Sequence, residues 1–172
     1  ARLVRVDVDI SSQNQHSDLF IHCAAKNFFA ALAMRVSTNK TQWSSNEVAN
    51  ARRQWRREVG VEQPEIIKVC DAVRTCLPKN TMIYSDMTQL AYSAKEIWDM
   101  DMPGHWHHPS GFGTLGYALP AAIGGAISRR GLPTIAIVGD YGFQFTMQEL
   151  AVAVELELSL PVLLWNNGKL GE

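Results

Sequence analysis

The chain has 172 residues, 47% of them hydrophobic, and a formal net charge of -1 at pH 7. That size and composition suit one compact domain with a short appended piece. Near-neutral charge argues against nucleic acid as the main partner. No window reaches the roughly 18 apolar residues of a membrane span, and Ala1-Arg2-Leu3-Val4 opens into a strand-like pattern with no visible signal peptide. Cys23, Cys70 and Cys76 are too few and too scattered for a disulfide framework or a zinc site, so reduced, buried thiols in a cytoplasmic protein are expected.

Residues Leu3 to Ile10 alternate apolar and polar, the period of a half-exposed strand. A polar turn over Ser11 to Asp18 and a helix over Ala24 to Val36 follow. One strand and one helix cannot bury their apolar faces, so residues 1–37 are expected to be the tail of something upstream. Residues 38–63 read as a linker and a helix. Ser45 or Asn46 would cap that helix, which is rich in arginine (Arg52, Arg53, Arg56, Arg57), and Gly60 would stop it. Its basic face, near Trp43 and Trp55, is expected to be solvated. Pro64 opens the next helix, which ends before Pro78.

From there the rhythm is strand and helix by turns: Met82 to Tyr84, then Tyr117 to Ile127, Thr134 to Val138, Thr146 to Leu156, and Val162 to Trp165. Such alternation predicts an α/β domain over residues 64–172, a parallel sheet flanked by helices. The wholly apolar Thr134 to Val138 suits a strand covered on both faces. The helix after it would bury Met147, Leu150, Ala151, Val154 and Leu158 along one stripe.

Two glycine-bearing motifs compete for the function. Gly111-Phe112-Gly113-Thr114-Leu115-Gly116 spells the dinucleotide fingerprint, with Asp140 after the next strand. That fingerprint needs a buried strand directly before its first glycine. The preceding Gly104-His105-Trp106-His107-His108-Pro109-Ser110 does not read as one. His105, His107 and His108 are expected in a solvated loop. A dinucleotide- or phosphate-binding module is therefore the weaker alternative.

The second motif is a pair. One strand ends in Gly139-Asp140-Tyr141-Gly142, and the next ends in Asn166-Asn167-Gly168-Lys169. Consecutive parallel strands emerge at the same edge, where ligands of doubly wound sheets bind. A magnesium-size ion takes about six oxygen ligands, often some from substrate phosphates. If a diphosphate supplies part of that shell, one Asp, one Asn amide oxygen and one backbone carbonyl complete it. Backbone amides at the turn and at the helix N-terminus would face the phosphates.

This pairing resembles the GDG-through-NN signature of thiamine-diphosphate (ThDP) enzymes of the acetolactate synthase and 2-oxo acid decarboxylase type. Thr114-Leu115-Gly116-Tyr117-Ala118-Leu119-Pro120-Ala121-Ala122-Ile123-Gly124 is similar to the family's run before the metal loop, and Val6-Asp7-Val8-Asp9 to the last strand of its central domain. The resemblance implies ThDP and Mg2+ as cofactors, with Asp140, Asn167 and the carbonyl of Lys169 on the metal. It implies that Gly139 and the amides near Tyr141 and Gly142 hold the diphosphate. Leu115 would prop the cofactor in its bent form, the Gly113 carbonyl would accept from the aminopyrimidine, and Gln89, on another loop, would reach a phosphate. The cofactor would act as electron sink for a 2-oxo acid.

Tyr141 departs from the pattern, standing where the family has the third residue of GDG, so Gly142 is expected to take the permissive role. Asp140 followed by an aromatic, then Gln144-Phe145-Thr146 and Trp165-Asn166-Asn167, is similar to a branch acting on 5-guanidino-2-oxopentanoate. No catalytic residue is assigned. The family's activating glutamate belongs to a pyrimidine-binding domain of a partner subunit, and Glu47, Glu65 and Glu96 match no part of it. The resemblance thus implies a homodimer or homotetramer, and a chain that stops at Gly171-Glu172 before the family's next helix and strand.

Overall fold

The computed structural model describes residues 2–14, 16–36, 43–100 and 102–169. The chain divides into two compact units, Ala1–Ser45 and Asn46–Glu172. The linker expected over Ser37 to Lys40 lies outside the described residues.

In the first unit the expected strand is β1, Val4–Asp7. The run after it does not stay a turn throughout. A 3-10 turn over Ile10–Asn14 leads to a second strand, β2, Leu19–His22, which the sequence reading missed. The strands pair in parallel, Val4 opposite Leu19 and Asp7 opposite His22. The polar positions of the alternating run build the turn. Asp7 Oδ1 accepts the Asp9 amide at 3.0 Å and Asp9 Oδ1 accepts that of Ser11 at 2.8 Å. Hydrogen bonds to the Asp9 backbone and the Ser12 side chain lower the pKa of the Asp7 carboxyl, and bonds to the Ser11 side chain and backbone lower that of Asp9. Helix α1 spans Ala25–Ala33. Leu3, Val8, Ile10, Phe29, Met34 and Val36 all remain exposed.

The second unit is built on a four-stranded, all-parallel sheet in the order β4-β3-β5-β6: β3 Met82–Ser85, β4 Trp106–His107, β5 Thr134–Gly139 and β6 Val162–Trp165. Helices α2 (Ser45–Glu62), α3 (Pro64–Cys76) and α4 (Gln89–Ile97) precede β4. Helix α5 (Ala118–Ser128) links β4 to β5, and α6 (Asp140–Thr146) with α7 (Leu150–Glu155) links β5 to β6. Side chains alternate across the sheet as the pleat requires. Ile83, Ile135 and Ile137 pack under α3 and α4 with Ile66, Cys70, Leu90 and Ala94. Ala136 and Val138 pack under α5 and α7 with Leu119, Ala122 and Ala153.

Three local expectations change. Gly60 does not end α2, which runs to Glu62. A Cβ there would sit in ordinary contact, 3.8 Å from Ile67, and the stop comes from Pro64, which pushes Gln63 out of the helical region (φ -139°, ψ 62°). The basic face of α2 is not merely solvated. Arg56 grips Asp71 with two bonds of 2.7 and 2.8 Å and Arg52 pairs with Asp99, which ties α2 to this unit. The helix expected from Thr146 already starts at Asp140, and a 3-10 turn at Met147–Glu149 rotates the rest. Leu150, Ala153 and Leu158 therefore face the core, while Met147 and Val154 are exposed.

Candidate functional site

The order of the strands sets the location. From β3 the chain steps outward to β4, then crosses back over β3 to β5 and on to β6. The winding direction switches between β3 and β5, and a crevice opens there at the carboxyl ends. A cavity of about 350 Å³ occupies it.

Gln89, Gly113, Leu115, Gly139, Asp140, Tyr141, Gly142, Asn167 and Lys169 all line this one cavity. Gly139 and Trp165 are register partners at the ends of β5 and β6, which brings the residues just after them side by side. Asp140 opens α6, and its Oδ1 accepts the Tyr141 amide at 3.0 Å. In the turn after β6, Asn166 Oδ1 accepts the Gly168 amide at 2.9 Å and Asn167 Oδ1 that of Lys169 at 3.2 Å. Gly168 adopts φ +68°, which a side chain would oppose. Gln89 is not on a loop. It is the first residue of α4, behind Thr88, whose side chain caps the helix by accepting the Ala91 amide at 3.0 Å.

Met87, Thr88, Tyr92 and Trp165 also line the cavity and were not singled out from the sequence. Part of the signal was there: Thr88 precedes Leu90, Ala94 and Ile97 at helical spacing, the mark of a capped α4. Asp86 was missed as well. Wholly buried, it accepts the amides of Gly116 (3.1 Å) and Ala118 (2.8 Å) and so pins the end of the glycine loop and the start of α5 to the end of β3. Burial raises its pKa, while the amides of Ala118, Gly116 and Tyr117 pull the other way. Gly142 stands against the same carboxylate, and a Cβ there would collide with Asp86 and meet the Gly116 nitrogen at 3.3 Å. The close approach is made by the fourth residue of the motif, not by Tyr141.

The stretch before the glycine loop also differs from expectation. Trp106 and His107 form β4, a two-residue edge strand beside β3. It pairs in parallel with β3, whose Ile83 amide donates to the His105 carbonyl at 2.8 Å, although its composition is poor for a core strand. His107 stacks on Tyr84 with ring centroids 4.9 Å apart, and His108 bonds to Ser85, so neither lies in a solvated loop. The strand still stops well short of Gly111, and Phe112 is fully exposed. A dinucleotide loop would need the strand to lead directly into that glycine.

Among the described residues no group of three or more His, Cys, Asp or Glu could hold a metal ion, and no helix is long and apolar enough to cross a membrane. A cation bound at this edge would depend on neutral oxygens and on its ligand for most of its shell.

Residues 86–172, half of the chain, match the family model described as thiamine pyrophosphate enzyme, C-terminal TPP binding domain. The chain is 37% identical over 175 residues to a probable 2-ketoarginine decarboxylase of Pseudomonas aeruginosa, covering 99% of this chain and 31% of that protein. It is 32% identical over 136 residues to the large subunit of acetolactate synthase isozyme 1 of Escherichia coli, covering 72% of this chain and 24% of the relative. The acetolactate synthase large subunit of Cyanidium caldarium is 28% identical over 182 residues, covering 97% of this chain and 30% of the relative. The chain therefore spans about a third or less of the length of these relatives. Matching over half its length, it belongs to the thiamine pyrophosphate enzyme family, of which it carries the C-terminal TPP-binding domain.

Proposed function

We propose that Asp140, Asn167 and the main-chain carbonyl of Lys169 hold Mg2+ on the diphosphate of ThDP, in a protein that cleaves or joins carbon–carbon bonds of 2-oxo acids. The observation that carries this reading is that Asp140, Asn167 and Lys169 line one cavity at the switch point of the sheet. One carboxylate with two neutral oxygens suits a hard cation that receives its remaining oxygens from a diphosphate and water. The Gly142 amide, in the first turn of α6, and the Gln89 side chain would meet phosphate oxygens, and the Tyr141 amide would do so on giving up its bond to Asp140 Oδ1. Gly139 lets the backbone lie close, since a Cβ there would press on Thr88 Cγ2 at 3.2 Å. Leu115, half-buried in the wall, would support the cofactor, and the Gly113 carbonyl would accept from its aminopyrimidine.

When bound, ThDP supplies the electron sink for the reaction. This chain's share is to grip the diphosphate, hold the ring geometry and exclude water around Leu115. The group that activates the aminopyrimidine is proposed to come from a pyrimidine-binding domain of a partner subunit, in a homodimer or homotetramer. For the substrate we favour 2-ketoarginine, that is 5-guanidino-2-oxopentanoate. Support comes from the 37% identity to a relative of that name and from the aromatic Tyr141 and Trp165 beside the metal motifs.

Calorimetry on the full-length protein tests the site. Asp140→Ala is expected to abolish Mg2+-dependent ThDP binding. Unchanged ThDP affinity in that variant at fixed Mg2+ overturns the assignment.

A further inference from the structure

Ser85 closes β3 and is wholly buried. Its Oγ accepts the indole N–H of Trp106 at 2.8 Å and lies 2.9 Å from His108 Nδ1. The His108 ring meets that of Tyr92 edge to face, with centroids 6.0 Å apart and planes at 77°. The Tyr92 hydroxyl donates to Met87 Sδ at 3.2 Å, and the Lys95 ammonium lies 5.0 Å from the Tyr92 ring centre. Tyr92 and Met87 both line the cavity. The Met87 methyl is also the atom that a Cβ on Gly113 would meet, at 3.3 Å. These contacts run unbroken from the end of β3 to the wall beside Gly113.

Chemistry at His108 itself is ruled out by its surroundings. Ser85 is out of reach of any substrate and already holds the Trp106 N–H, so the pair is not an activated nucleophile. Burial, then the charge of Lys95, lowers the pKa of the His108 imidazole, against a hydrogen bond to the Ser85 backbone that raises it. Its Nε2 is buried without a hydrogen-bond partner, so the charged ring would hold an unpaired N–H there. A neutral ring fixed at one end and packed at the other is suited to holding its neighbour still.

We propose that His108 is a positioning residue for the cofactor site: anchored on Ser85, its ring sets Tyr92 and Met87, the wall against which the aminopyrimidine half of ThDP lies beside Gly113. The proposal rests on the ThDP reading above. It adds that the stretch before the glycine loop, outside the metal and diphosphate motifs, controls how the cofactor sits. Small displacements of that wall matter, because a shift of about 1 Å costs up to about a hundredfold in rate.

The test uses the full-length protein, with methyl-labelled methionine and the Met87 signal assigned through Met87→Leu. Without any ligand, His108→Ala is expected to move the Met87 methyl resonance, and His108→Phe, which keeps a ring against Tyr92, to return it towards the wild-type position. With ThDP at fixed Mg2+, His108→Ala is expected to raise Kd about tenfold and lower kcat by a similar factor, with KM for the 2-oxo acid unchanged. His108→Phe should recover most of the ThDP affinity. Thermal melts accompany each variant, and His108→Asn replaces the alanine variant if that one does not fold. An unmoved methyl signal with unchanged ThDP affinity, in a wild-type protein that binds ThDP, overturns this proposal alone. A wild-type protein that takes up no ThDP overturns the function reading and this proposal with it.

Discussion

Asp86 accepts the Ala118 amide at 2.8 Å across a sequence separation of 32 residues, so the carboxylate after β3 acts as the cap of α5. Its second oxygen takes the Gly116 amide at 3.1 Å. Leu115 directly precedes Gly116, and Gly113 lies three residues before it. The loop that would seat the cofactor is thus held by a side chain that points away from solvent.

Asp86→Asn should destabilise the fold by about 1–3 kcal/mol near neutral pH, because an amide NH2 would face a backbone N–H and leave it unsatisfied. The difference should depend on pH. The folded pKa of Asp86 is raised above its ordinary 3.8, so its ionisation favours the unfolded chain. The stabilisation linked to protonated Asp86 is full below 3.8 and is lost as pH rises through the folded pKa. Urea unfolding of wild type and variant from pH 3.5 upward should show the wild-type advantage shrinking over that window. An advantage that grows with pH would mean the amides outweigh burial.

Gly142→Ala should cost about 1–3 kcal/mol by forcing a methyl against the Asp86 carboxylate and the Gly116 nitrogen. Tyr141→Gly should be far milder for stability, since Tyr141 is 40% exposed. Thermal melts of the two variants decide which residue makes the tight approach. Equal losses would contradict the assignment to Gly142.

If ThDP sits as proposed, Leu115→Ala should separate binding from turnover in the full-length protein. The Asp140 and Asn167 side of the cavity is untouched, so Mg2+-dependent ThDP binding should persist in weakened form. Activity should fall further, by about a hundredfold, because the supported geometry is lost. Calorimetry and turnover on the same preparation make the comparison. A proportional fall in both would place Leu115 in simple binding.

Cys70 and Cys76 should differ in reactivity. Cys70 is 3% exposed in the core and burial pushes its thiol pKa up to about 11, whereas Cys76 is exposed. Iodoacetamide at pH 8 should label Cys76 and leave Cys70 intact until the protein is unfolded. Peptide mapping reads the result. Early labelling of Cys70 would show that α3 opens locally.

The sequence by itself determined the alternation of strands and helices from Pro64 onward and the placement of Asp140 and Asn167 just after strand ends at one sheet edge. Both follow from local periodicity and from the rule that consecutive parallel strands end on the same side. The tertiary structure decided what depends on partners distant in the chain. β4 is a strand because β3 offers it hydrogen bonds, despite a composition that argues against one. β2 exists because β1 pairs with it. His108 lost its expected place in solvent to Ser85 and Tyr92, which lie on other elements. Asp86 reads as an ordinary polar residue after a strand until the loop at Gly116 folds back onto it. Its burial and its two amide partners come from segments that only the closed fold brings together.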